Sequence, residues 1–117
     1  MRLRSDIWVM AYLRRCQSAG VAVVVVRRGD AHAGAIYLCI NRLNGSVNLY
    51  GPAPAGMVET SIGRRWTNCL SQALVSETEA QAYLARQLEF DPDIWIVEVE
   101  DKQGRHFLDE DAIEELR

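Results

Sequence analysis

The chain has 117 residues, 49% of them hydrophobic and 25% charged, with a net charge of -3. That length fits one domain, residues 1–117, and leaves no room for two. No apolar run approaches the roughly 18 residues of a membrane span, which excludes a helical membrane protein. Cys16, Cys39 and Cys69 are odd in number and widely spaced, with no Cys-x-x-Cys, so reduced thiols are expected rather than a disulfide framework.

The amino terminus starts basic, but no apolar signal core follows Asp6, and a cytoplasmic location is expected. The net charge divides unevenly. Residues 1–65 carry nine arginines against three acids, +6; residues 66–117 carry four basic groups against thirteen acids, −9. Such a split suits complementary faces within the fold or between subunits, or one basic surface that meets an anion.

Ser5 opens a helix as its cap, with Asp6 favourable in the first turn, and Gly20 ends it. At 100° per residue Trp8, Val9, Tyr12, Leu13, Cys16 and Ala19 share the buried stripe. Ile7 and Met10 fall outside it, which assigns them to packing under a loop or to a subunit contact. Val21 to Arg28 is apolar on both faces as far as Val26 and reads as a central strand covered on both sides. A turn follows from Arg28 to about Gly34.

Ala35 to Arg42 reads as the second strand and Ser46 to Tyr50 as the third. Asn44-Gly45 would join them in a type I′ turn, both of whose central positions need φ > 0. Pro52 and Pro54 each lack a donor and close that strand. A long loop reaches Gly63. Arg64 to Leu70 is a fourth strand. Ser76-x-x-Glu79 is a capping-box pattern, opening a second helix whose buried stripe is Ala80, Tyr83, Leu84, Leu88 and Phe90. Asp91-Pro92-Asp93 breaks it. Ile94 to Glu100 is a strand, and Arg105 to Leu108 its hairpin partner. Asp109 to Arg117 is an acidic tail with a helical turn. The expected fold is α+β: a largely antiparallel sheet of five to six strands with two packed helices.

Chemistry-bearing residues are sparse. His32 and His106 are the only histidines, and their spacing does not resemble a metal site. Either suits a general base in principle, but ordinary hydrogen-bonded roles are favoured. Cys69, near Arg64 and Arg65, is the best placed of the thiols for reactivity. Glu98 and Glu100 share one strand face, as on the solvated side of an edge strand. Asp91 and Asp93 are turn formers. No phosphate-loop pattern occurs in the Gly51–Gly63 loop. Neither a metal nor a cofactor is expected.

The arginine pairs Arg14-Arg15, Arg27-Arg28 and Arg64-Arg65 are the candidate anion-binding residues, since a guanidinium grips carboxylate or phosphate bidentately. The sequence pI of 5.3 and the scarcity of aromatics beside these pairs weigh against nucleic acid.

Three segments carry a family likeness: WVMAYLRRCQSAG from Trp8 to Gly20, NRLNGSVNLYGPAP from Asn41 to Pro54, and FDPDIWIVEVEDKQGRHFLD from Phe90 to Asp109. As a set they resemble a domain-of-unknown-function family, number 1491 in that series, of small alphaproteobacterial proteins. The resemblance implies a stand-alone cytoplasmic protein and gives no residue a role. The reading that follows is a non-catalytic interaction or regulatory domain acting through a protein partner or self-association, with Ile7 and Met10 as the possible interface. Binding of a phosphate-bearing ligand or nucleic acid through the arginine pairs ranks second. A small enzyme using a histidine with a cysteine or carboxylate ranks third.

Overall fold

The computed structural model describes residues 3–54, 63–70 and 72–114. Most of the long loop expected before Gly63 and the end of the acidic tail lie outside the described residues. Helix α1, Ser5–Ser18, presents Val9, Tyr12 and Cys16 to the core. Its N-cap residue is Arg4 and no side chain caps it. Ser5 is therefore not the cap its position suggests. The Ser5 and Asp6 amides donate to the carbonyls of His32 and Ala31 at 3.2 and 3.0 Å. A neighbouring loop supplies what a cap side chain otherwise would. The Ser5 hydroxyl is turned inward, donating to the Gly34 carbonyl at 2.6 Å and accepting from Arg64 Nη2 at 2.9 Å.

The strands are β1 (Ala22–Arg27), β2 (Ile36–Asn41), β3 (Ser46–Pro52), β4 (Trp66–Asn68), β5 (Val75–Ser76), β6 (Trp95–Glu100) and β7 (Ile113–Glu114). Their order is β1-β6-β2-β3-β4-β7, with β5 also pairing with β3. The α+β class holds, but the sheet is mixed rather than largely antiparallel. β2 runs parallel to β6 and β4 parallel to β7. Helix α2, Glu77–Phe90, returns the chain to the far side of the sheet, and such a crossover allows parallel pairing.

β6 takes the central place expected for the valine run. β1 is instead an edge strand, paired among the described residues with β6 alone. An all-apolar run of six does not say which neighbours it has, and the fully covered strand is β2, buried at all six positions. The β2–β3 turn is also wider than a two-residue type I′. Positive φ falls at Leu43 and Gly45, and Arg42 N–H closes onto the Ser46 carbonyl. The Asn41 side chain accepts from Leu43 N–H at 2.8 Å, which holds Leu43 in its left-handed conformation. Arg105 to Leu108 forms no strand. The chain there is tied by the Asp101 carboxylate, which accepts from the Arg105 N–H and guanidinium. The capping box at Ser76 and Glu79 is present as expected, and the acidic tail contains one 3-10 turn, Glu110–Ala112.

Side-chain alternation divides the core into two layers. Ile36, Leu38 and Ile40 of β2, with Trp95, Val97 and Val99 of β6, face α1 and the C-terminal segment. Tyr37, Cys39, Ile94 and Ile96 face α2, meeting Ala80 and Leu84. Phe90, placed on the α2 stripe by periodicity, is 84% exposed instead. It ends the helix, one residue before the extended Asp91, and has passed beyond the sheet.

Candidate interaction site

The α2 face of the sheet is covered unequally. α2 packs chiefly against β3 and β5, so β1 lies uncovered on that side. Val23 and Val25 pack under the α1 layer. Val24 and Val26 face the other way, 56% and 58% exposed. A β-bulge between Val25 and Arg27 adds a residue at the end of the strand. Beside these valines runs a trough of about 260 Å³, lined by Val26, Cys39, Ala80, Leu84, Leu88, Ile96 and their neighbours, with Glu77 and Glu98 at its polar end.

Glu98 stands opposite Val24 in the ladder, and Glu100 opposite Ala22. They do share one face, as expected, but β6 is central rather than an edge. Partial burial raises the Glu98 carboxyl above its ordinary range. Hydrogen bonding from Asn41 opposes that, while Glu100 and Glu77 add to it. The result is an apolar groove with acid at one end, beside an edge strand whose outer backbone has no partner strand among the described residues. Nothing in the valine run itself marks Val24 and Val26 as exposed. The available signal was on the neighbouring strand, where Glu98 and Glu100 make the shared face half-polar.

Ile7 and Met10 are each 49% exposed on α1, so the loop-packing alternative drops away for them. The arginine pairs are dispersed. Arg15, Arg64 and Arg65 meet in a second cleft, of about 330 Å³, with Trp8, Trp66, Asp109 and Asp111. Arg15 donates to the Phe107 carbonyl at 2.8 Å; Arg65 pairs with Glu114 at 3.2 Å; Arg64 reaches Leu3 and Ser5. Arg14 is exposed. Arg27 donates to the Pro92 carbonyl and Arg28 stacks over Trp95, both at the far end of β1.

The histidines are set apart. His32 lies exposed in the loop that caps α1. His106 stands edge-on to Tyr50, with Nδ1 accepting from Leu108 N–H and Nε2 beside Glu110 at 3.3 Å. Burial pushes the Cys39 and Cys69 thiols up to about 12, and Cys16 is raised for the same reason. Thiols held in that state are poor nucleophiles near neutrality. Among the described residues no group of three or more His, Cys, Asp or Glu side chains is placed to hold a metal, and no helix is long and apolar enough to cross a membrane.

The fold and its surfaces thus define a small three-layer α+β protein with an open sheet edge. The chain belongs to the family described as Protein of unknown function (DUF1491), which it matches over residues 3–109. It is similar to a DUF1491 family protein from Caulobacter crescentus CB15. The crystal structure of that protein shares 37% identity with a TM-score of 0.79, covering 97% of this chain and 99% of the other. An NMR structure of a DUF1491 family protein from the same organism matches at 40% identity and a TM-score of 0.78, over 97% and 98%. The solution structure of Atu0922 from A. tumefaciens matches at 38% identity and 0.72, over 86% of each chain. No curated protein matches.

Proposed function

We propose that this chain is a non-catalytic interaction domain whose contact surface is the open edge of β1 together with the trough between β1 and α2. The observation that carries this reading is the exposure of Val24 and Val26 on an edge strand. Folded proteins blunt such edges with charge, proline or a covering element. β1 has only its terminal bulge and Arg27. An edge of this kind accepts an added strand, with backbone bonds giving affinity and alternate side chains giving selectivity. The test uses the protein and its Val26→Lys variant as baits in extract from the native host, with quantitative mass spectrometry. Bound proteins that are lost with the variant support the surface. Identical retained sets with both baits refute it.

A second reading, anion binding, draws on the cleft that gathers Arg15, Arg64 and Arg65 beside Trp8 and Trp66. Asp109, Asp111 and Glu114 offset those three guanidiniums locally, which is why this reading ranks below the first. Titrating inorganic phosphate or pyrophosphate while following tryptophan fluorescence tests it. A saturable change that weakens with salt and is lost in Arg15→Ala supports it; no change at millimolar anion removes it.

A further inference from the structure

We infer that the occupant of the β1 edge is a second copy of this chain, joined antiparallel through β1 about a two-fold axis near Val24. The inference rests on the interaction reading above and narrows it to one partner.

An isologous contact must be self-complementary, because the same patch meets itself reversed. β1 has that character in three respects. First, its middle is apolar, with Val24 and Val26 exposed on one face. Antiparallel pairing sets residues of like face directly opposite each other. With Val24 at the axis, Val24 meets its own copy and Ala22 meets Val26, a pairing that gathers four exposed valines into one strip.

Second, the charges at the two ends of β1 differ in sign. Arg27 closes one end, followed by Arg28. Glu100 flanks Ala22 at the other. None of the three has an ion-pair partner among the described residues. Asp91 and Asp93 lie near the basic end, where the Asp91 carboxylate accepts from Asp93 N–H; Lys102 follows the acidic end. Reversal about the axis brings Arg27 of one copy beside Glu100 of the other.

Third, α1 lies on the opposite face of the sheet and carries the half-exposed Met10. Trp8 touches Trp66 of β4 at 4.9 Å between ring centroids, so that flank of α1 looks away from β1. Met10 lies about 200° further round the helix. It lies half-exposed on the side of α1 away from Trp66, where a copy joined through β1 would approach.

Sedimentation equilibrium from micromolar to millimolar protein is the test. A reversible monomer–dimer equilibrium is expected. Val24→Lys places two ammonium groups at the axis, so its dissociation constant should rise about tenfold or more. Val24 is exposed, so the variant keeps its fold, checked by an unchanged thermal midpoint. Leu74→Lys, exposed beside β5 on the other part of the sheet, should leave the equilibrium unchanged. Arg27→Glu and Glu100→Arg should each weaken the dimer, and mixing these two variants should restore it, since each then meets an opposite charge at both ends.

A strict monomer at millimolar concentration overturns the inference, as does a dimer that ignores Val24→Lys or a charge-swapped mixture no tighter than its components. These failures leave the interaction reading standing if the Val26→Lys bait still loses host proteins. Both readings fall together only if neither the equilibrium nor the captured set responds.

Discussion

Replacing Ser5 by alanine separates two accounts of how α1 is anchored. In the structure the Ser5 hydroxyl is fully buried and bridges two elements, bonding the Gly34 carbonyl and Arg64 Nη2. Alanine removes the hydroxyl, so the Gly34 carbonyl loses this donor, while Arg64 Nη2 loses one acceptor and keeps the Leu3 carbonyl. A neutral buried bond contributes about 1 kcal/mol and one to a charged group about 1.5–3 kcal/mol. Arg64 is only half-buried, which places its share at the lower end. The expected loss is about 2–3 kcal/mol, or roughly 10 °C in Tm. Glycine at position 5 should cost about 3–4 kcal/mol, because it adds the penalty of a glycine inside a helix. A true N-cap behaves in the opposite order: alanine costs about 1 kcal/mol and glycine only a few tenths. Urea unfolding followed by tryptophan fluorescence gives both values, provided the m-value is unchanged. A glycine variant milder than the alanine variant refutes the bridge.

Four further substitutions have expected outcomes. Gly29→Ala drives its Cβ onto the backbone of Asp93 and Ile94, which cannot yield without losing the Asp30 N–H bond to the Asp93 carbonyl. It should cost about 3 kcal/mol or more. Gly20→Ala, which meets only open space but keeps φ at +79°, should cost about 1–2 kcal/mol; thermal melts that reverse this order disprove the close approach. Glu98→Gln should be more stable than the parent at pH 7 and equal to it in acid. The folded-state carboxyl is raised above 4.5, so its favourable contribution is full below that value and lost as pH rises through the folded pKa; a variant that shows no pH-dependent gain contradicts the partial burial. Ser76→Ala removes the hydroxyl that accepts from Glu79 N–H and leaves the Ser76 N–H donating to the Glu79 carboxylate; it should cost about 1 kcal/mol in chemical denaturation, and a loss below about 0.3 kcal/mol would show that the hydroxyl arm adds nothing to α2.

Local signals carried the elements well and their neighbours poorly. Periodicity located α1 and the Val9–Tyr12–Cys16 stripe, and Ser76-x-x-Glu79 located the start of α2, because both are decided within a few residues. The sheet order was not legible. Whether β6 joins β1, β2 or both depends on contacts across more than fifty residues, and no single strand encodes them. The same limit governed the proposed contact surface. Ile7 and Met10 stood out as unexplained apolar residues on a helix, and both are exposed. Val24 and Val26 were hidden inside an apolar run that a buried strand would also show. Of the arginine pairs, only proximity in the fold could reveal that Arg15 joins Arg64 and Arg65 while Arg27 and Arg28 stand elsewhere.

The position of β6 has a consequence for how the protein is made. β1 and β2 lie early in the chain, yet neither touches the other in the sheet; β6 fills the space between them. Synthesis at about 5–20 residues per second leaves the β2–β3 hairpin and α1 waiting several seconds for residues 95–100. Until then the nascent sheet holds a strand-wide gap, flanked by apolar residues on both sides. The central strand therefore reaches the sheet only after both of its neighbours have been made, and chaperone demand should be concentrated in that interval.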